Sequence, residues 1–123
     1  MNDARDRTLQ RVLKLRRLDL RRARGRIGAA EARDAEAREA RKRLAEETDA
    51  LPSQGRCVAP ALLFARLGEI ADEAVRLAEE STRAVAERDA AQSELRAIAA
   101  ECESLETFLQ RSADERRRAL KWR

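Results

Sequence analysis

The chain has no histidine and no tyrosine, and among its 123 residues it holds only one tryptophan, two phenylalanines, two cysteines and two prolines. Without histidine there is no side chain whose ordinary pKa suits proton transfer near neutral pH. Cys57 and Cys102 lie far apart in the chain, and two thiols with no histidine cannot furnish four zinc ligands. No glycine-rich phosphate loop and no nucleophile elbow occurs. The expectation is therefore a protein that is not an enzyme and that uses neither metal nor cofactor. Aromatic residues make up 2% of the chain, too few to fill a compact core. No run of about 18 apolar residues is present to cross a bilayer, and charges stand where a signal peptide needs its apolar region. A cytoplasmic location is expected, with both thiols reduced.

What the chain does have is charge, at 41% of residues, set in an alanine-, arginine-, glutamate- and leucine-rich background typical of long helices. From Leu63 to Leu109 the spacing is that of a coiled coil. Leu67, Ala74, Ser81, Arg88, Leu95, Cys102 and Leu109 occupy one heptad position, and Leu63, Ile70, Leu77, Ala84, Ala91, Ile98 and Leu105 the other. An earlier seam is less clean. Leu13, Leu20, Ile27, Asp34, Arg41 and Thr48 alternate with Leu9, Arg16, Ala23, Ala30, Ala37, Leu44 and Leu51. Between the two seams, residues 52–59 hold a proline, a glycine and turn formers, and Pro60 suits a first helical position. The fold class expected is all-α, a long antiparallel coiled-coil hairpin in one domain, with helix 1 over about 3–51, a turn at 52–59 and helix 2 over about 60–120. In that hairpin Cys57 sits at the tip and Cys102 well down the shaft, too far apart to bridge.

A register follows if facing seam residues have numbers of constant sum. A sum of 111 sets Leu44 against Leu67, Leu13 against Ile98 and Leu9 against Cys102. Gly25 and Gly28 fall on the outer face of helix 1, as weak spots or as a bend. Five acid-before-base pairs at i, i+4 (Asp34–Arg38, Glu39–Arg43, Asp72–Arg76, Glu79–Arg83 and Asp114–Arg118) are expected to support helicity.

Charge is unevenly placed. Residues 1–28 carry ten Lys/Arg against three Asp, and residues 110–123 carry six against two, so the 81 residues between them are net acidic in a chain of net charge +4. In a hairpin the two basic segments meet at one end, a field that orients an acidic partner. Val12, Leu15 and Leu18 in helix 1, and Phe108, Leu120 and Trp122 in helix 2, are apolar residues that the seams do not absorb. They either pack on each other or anchor a partner among the arginines. At the turn, Leu62 and Phe64 flank seam residue Leu63, and either plug the hairpin end or dock a second partner.

A long α-hairpin whose basic open end is made of both termini, opening "RTLQRVLKLRRLDLRRA" and closing "RSADERRRALKWR", resembles the stalk proteins of type III secretion systems, the FliJ and YscO families. The resemblance rests on architecture and charge layout along the whole chain. It implies a non-enzymatic coupling protein, cytoplasmic and peripheral to the inner-membrane export apparatus. Its terminal end would enter the pore of the hexameric secretion ATPase, its tip would face the export gate membrane protein, and export chaperones would be further partners. Carried over by position, the ATPase contacts are Arg11, Lys14, Leu15, Arg17, Arg21, Arg116, Arg117, Arg118 and Trp122, and the gate contacts Leu62 and Phe64. A basic hairpin arm gripping RNA, similar to that of seryl-tRNA synthetase, is the rival reading. The acidic shaft and the lack of interleaved aromatics argue against it. A third reading lays residues 5–26 on a membrane surface, which would require the hairpin to open.

Overall fold

The computed structural model describes residues 2–54 and 59–122, and within them the chain is two α-helices with no strand. Helix α1 spans Asn2–Gln54 and α2 spans Pro60–Lys121; they pack against each other as an α-helical hairpin. Ala59 begins α2 by accepting the amides of Leu62 and Leu63 at 3.0 and 3.2 Å, and Pro60 follows at the first position, where its missing amide costs nothing. α1 runs past the expected stop at Leu51, through Pro52 to Gln54. A proline this close to a helix end forfeits one hydrogen bond with little helix left beyond it to disrupt, so the ladder can close over it. Cys57, and with it the question of its exposure, lies outside the described residues.

Packing divides the chain into two units. The first comprises 1–27 and 90–123, and the second Gly28–Asp89. In the first unit Leu13, Ala23, Ile98 and Cys102 are buried, with Leu20, Leu95, Leu105 and Leu109 packed against them. In the second, Ala37, Leu44, Leu51, Ile70 and Leu77 form the buried cluster, joined by Ala40, Leu63, Leu67 and Ala74. All but Ala40 of these are seam residues of the two heptad patterns, and each fully buried leucine or isoleucine contributes roughly 1.5–3 kcal/mol. Buried Ala30 and Ala84 contribute less area.

The register differs from the expected one. In the first unit Ser112 donates to Asp6 (2.8 Å), and Arg26 and Arg16 reach Glu94 and Glu101 at 2.7 and 2.8 Å. These pairs have number sums of 118, 120 and 117. A sum of 111 would separate Asp6 from Ser112 by about 10 Å along the axis, at 1.5 Å per residue, beyond any direct hydrogen bond. In the second unit Arg33 pairs with Glu87, and Leu51 is buried, whereas a sum of 111 would leave it against exposed Pro60. Arg66, which holds both carboxylate oxygens of Glu47 at 2.8 Å next to the turn, falls between the two registers and is reached by the length of both side chains. The two registers differ by one heptad, so the same faces meet in both and apolar spacing alone cannot separate them.

A polar residue in the seam, Asp6, breaks that degeneracy. Asp6, 3% exposed, accepts from Ser112 Oγ and from Arg116 Nη2 at 2.6 Å, and Arg116 also reaches Asp3 at 2.9 Å. Asp34 accepts from Ser81 Oγ and from Arg38 Nε. With a sum of 111, Asp6 would face Leu105 and lose Ser112 and Arg116, burying a carboxylate against leucine, which costs several kcal/mol or forces protonation. With a sum of 118 Asp6 finds a hydroxyl and a guanidinium, and Leu13 meets Leu105 while Leu51 meets Leu67; Asp34, level with Ala84, takes Ser81 three residues along α2 and Arg38 of its own helix. Of the five expected i, i+4 pairs, Asp34–Arg38 closes among the described residues; Arg76 turns instead to Glu73, and Asp114 to Arg117.

Gly25 and Gly28 lie inside α1, and a Cβ built at either would meet nothing within 4 Å. Gly25→Ala and Gly28→Ala should therefore each raise the stability of the hairpin, by about 1 kcal/mol, measured as a higher melting temperature by circular dichroism. Asp34 gives a second expectation. The Ser81 hydroxyl, helped by Arg38 and Arg88 and opposed by burial, holds its carboxyl below the ordinary value. The stability it contributes is present above the unfolded-state pKa and is lost as pH falls through the lower folded-state value. The melting temperature of Asp34→Ala should thus fall less than that of the wild type between neutral pH and about pH 3.

Candidate functional site

The first unit has 17 Lys/Arg against 9 Asp/Glu, a balance of +8, while the second has 10 against 14, a balance of −4. Interhelix pairs neutralise part of the first unit's excess. Arg16, Arg17 and Arg26 of α1 reach Glu101, Glu106 and Glu94 of α2 at 2.8, 3.0 and 2.7 Å. All are about half exposed, so each adds little stability, but each removes a cation from the free surface. Arg116 is tied to Asp3 and Asp6, and Arg117 to Asp114.

The cations left without an ion pair among the described residues include Arg5, Arg7, Arg24, Arg96, Arg111 and Lys121, and also an ordered patch on α1. Among the described residues no carboxylate lies within ion-pair distance of Arg11, Lys14 or Arg21, and all three are exposed. Their spacing of three and seven puts them on the side of α1 turned away from its seam. Leu15, 63% exposed, and Leu18 share that side, with Val12 at its edge. On α2, Arg118 is also exposed without a carboxylate partner among the described residues, and Leu120 and Trp122 follow it, Trp122 at 90% exposure. The two apolar sets remain open to solvent, so they do not pack on each other. Phe108 is partly covered by Arg5, whose guanidinium sits 4.9 Å from the ring centre, a cation–π contact. Beside it Asp6, Arg111, Ser112 and Glu115 line an open, polar groove.

The nine residues carried over from the stalk resemblance therefore separate. Arg11, Lys14, Leu15 and Arg21 share one free face of α1, and Arg118 and Trp122 are free on α2. Arg17, Arg116 and Arg117 are engaged within the unit. In the second unit Leu62 and Phe64, 64% and 72% exposed, stand out from the first turns of α2 instead of plugging the end, while Leu63 between them is half-buried. Sequence reasoning missed Asp6. Its signal was present, since it lies one heptad before Leu13. The Arg5–Phe108 contact depends on register and has no such signal. Among the described residues no group of three or more histidine, cysteine, aspartate or glutamate side chains could hold a metal ion, and no helix is long and apolar enough to cross a membrane. The patch can make charge-assisted hydrogen bonds to an anionic partner around a small apolar anchor. Comparison with protein-family models, with curated proteins and with solved structures finds no match for the chain.

Proposed function

We propose that the hairpin is a non-enzymatic stalk or coupling protein of a type III secretion export apparatus, with its basic terminal unit in the pore of the hexameric secretion ATPase. The observation that carries the reading is the unneutralised face of α1 in the unit that holds both chain termini, where Arg11, Lys14 and Arg21 surround exposed Leu15. Cations beside a leucine and a free tryptophan suit the rim and centre of a protein interface. Phosphate binding alone would leave the leucines unused, which favours a protein partner over RNA. On this reading Leu62 and Phe64 face the export gate membrane protein, and export chaperones compete for the same exposed surfaces. Arg17, Arg116 and Arg117 act as scaffold, since they hold other side chains of the unit.

Charge reversal of Arg11, Lys14 and Arg21 together should weaken binding to a purified hexameric secretion ATPase at least tenfold and blunt any stimulation of ATP hydrolysis. Reversal of Arg41, Lys42 and Arg43 in the acidic unit should change neither. If the first variant binds the ATPase as the wild type does while losing a salt-sensitive affinity for RNA, the stalk reading fails and the nucleic-acid arm replaces it.

A further inference from the structure

A second stripe with heptad spacing runs along α2 beside the seam. Phe64, Gly68, Ala71, Val75, Ala78 and Thr82 follow one another at alternating steps of four and three, and each comes one residue after a seam residue. Seven charged residues lie between Phe64 and Thr82, and none falls on the stripe. Phe64 is 72% and Val75 59% exposed, and a Cβ built on Gly68 meets nothing within 4 Å, so the stripe is open to solvent. Arg66 and Glu87, by contrast, each precede a seam residue and close the opposite flank through Glu47 and Arg33. An uncharged face with this spacing fits the surface of another helix.

Charge along its edge selects the partner. Asp72 and Glu79, seven residues apart on the side of the stripe away from the seam, are exposed, and no cation lies within ion-pair distance of either among the described residues. Pairing two such stripes would join two second units of balance −4, whereas the first unit, at +8, carries the complement on α1. There Lys14 and Arg21, also seven residues apart and without an ion pair, border exposed Leu15 and Leu18. We propose that the α2 stripe of one copy takes the Leu15 face of α1 from a second copy, the two helices side by side and parallel, in a heterologous contact. With Leu15 level with Gly68, Leu18 falls level with Ala71, and Lys14 and Arg21 come to Asp72 and Glu79 at the flanking positions where coiled coils place ion pairs. Arg11 is then level with Phe64, within reach of a cation–π contact. Each leucine meets a small residue, so the helices can approach closely. Exposed ion pairs add little affinity; they choose partner and register, while the apolar contact supplies most of the binding. The inference stands on these two faces and does not need the secretion reading. Where both hold, self-association and the ATPase compete for the Leu15 face.

Sedimentation velocity of the full chain under reducing conditions tests it. The weight-average mass of the wild type should rise with protein concentration. Asp72→Lys/Glu79→Lys and Lys14→Glu/Arg21→Glu should each weaken the association by about tenfold or more, and an equimolar mixture of the two variants should recover it. Val75→Glu, which sets a charge in the middle of the stripe, should weaken it as well. The four charged side chains are exposed and bond to no other side chain among the described residues, so the variants should keep the wild-type helicity by circular dichroism. If a reversal does not fold, Asp72→Asn/Glu79→Gln and Lys14→Gln/Arg21→Gln decide. A wild type that stays monomeric at every concentration overturns the inference and leaves the stripe to a different protein. Association that survives both reversals overturns it too, even where Val75→Glu removes it, because two stripes would then pair with each other.

Discussion

A carboxylate buried between two helices must find donors, and in this hairpin that requirement settles how the helices align. Asp6 and Asp34 sit where a regular seam would place leucine. In the observed alignment Asp6 meets a serine hydroxyl and a guanidinium, and one heptad away it would meet leucine, whereas Asp34 holds Arg38 of its own helix in either. Apolar contacts decide that the helices pack and which faces meet, since most of the buried side chains in each unit are Leu, Ile and Ala at seam positions. They decide the alignment less sharply, because a shift of seven residues leaves the faces unchanged, although it would set buried Leu51 against exposed Pro60. The net stability of each polar layer is small, for the desolvation of a charge offsets much of its Coulombic attraction, but the difference between satisfied and unsatisfied layers is several kcal/mol. Specificity and stability thus come from different residues.

The same alignment sorts the cations. Because α2 lies where it does, Glu94, Glu101 and Glu106 reach Arg26, Arg16 and Arg17, and Asp3 and Asp6 take Arg116. A charge map drawn from segments alone treats all these arginines as equivalent. The pairing leaves Arg11, Lys14 and Arg21 on one face of α1 beside Leu15 and Leu18, which is where a partner gains most from contact. Salt would screen that attraction, and the exposed leucines would keep a remainder that salt does not remove. The two parts give the patch a chemical identity that neither charge nor apolar area has separately.

Much of this was legible in the sequence. The heptads of α1 and α2, the break near Pro52 and the start at Pro60 follow from periodicity and turn chemistry, and the two helices run within a few residues of the expected bounds. Whether Leu15, Leu62, Phe64 and Trp122 turn outward was not legible, since lying off the seam phase does not say what covers a residue. What periodicity hides is anything that depends on register, because it repeats every seven residues. The expected sum of 111 was off by one heptad for that reason, and the partners of Arg17, Arg116 and Phe108 could not be read at all. A polar layer carried the missing information: Asp6 was left outside the seam, although pairing it with Ser112 selects the observed alignment.

The most direct measurement of the alignment is a pair of distances between spin labels in the first unit, with both native cysteines replaced. Ser104 and Ala97 are exposed, occupy the same heptad position of α2, and are level with Lys14 at a sum of 118 and at a sum of 111 respectively. The polar-layer account predicts that the Lys14–Ser104 distance is the shorter of the two, and that replacing Asp6 with leucine reduces the difference. A shorter Lys14–Ala97 distance in the protein with both aspartates intact would contradict it.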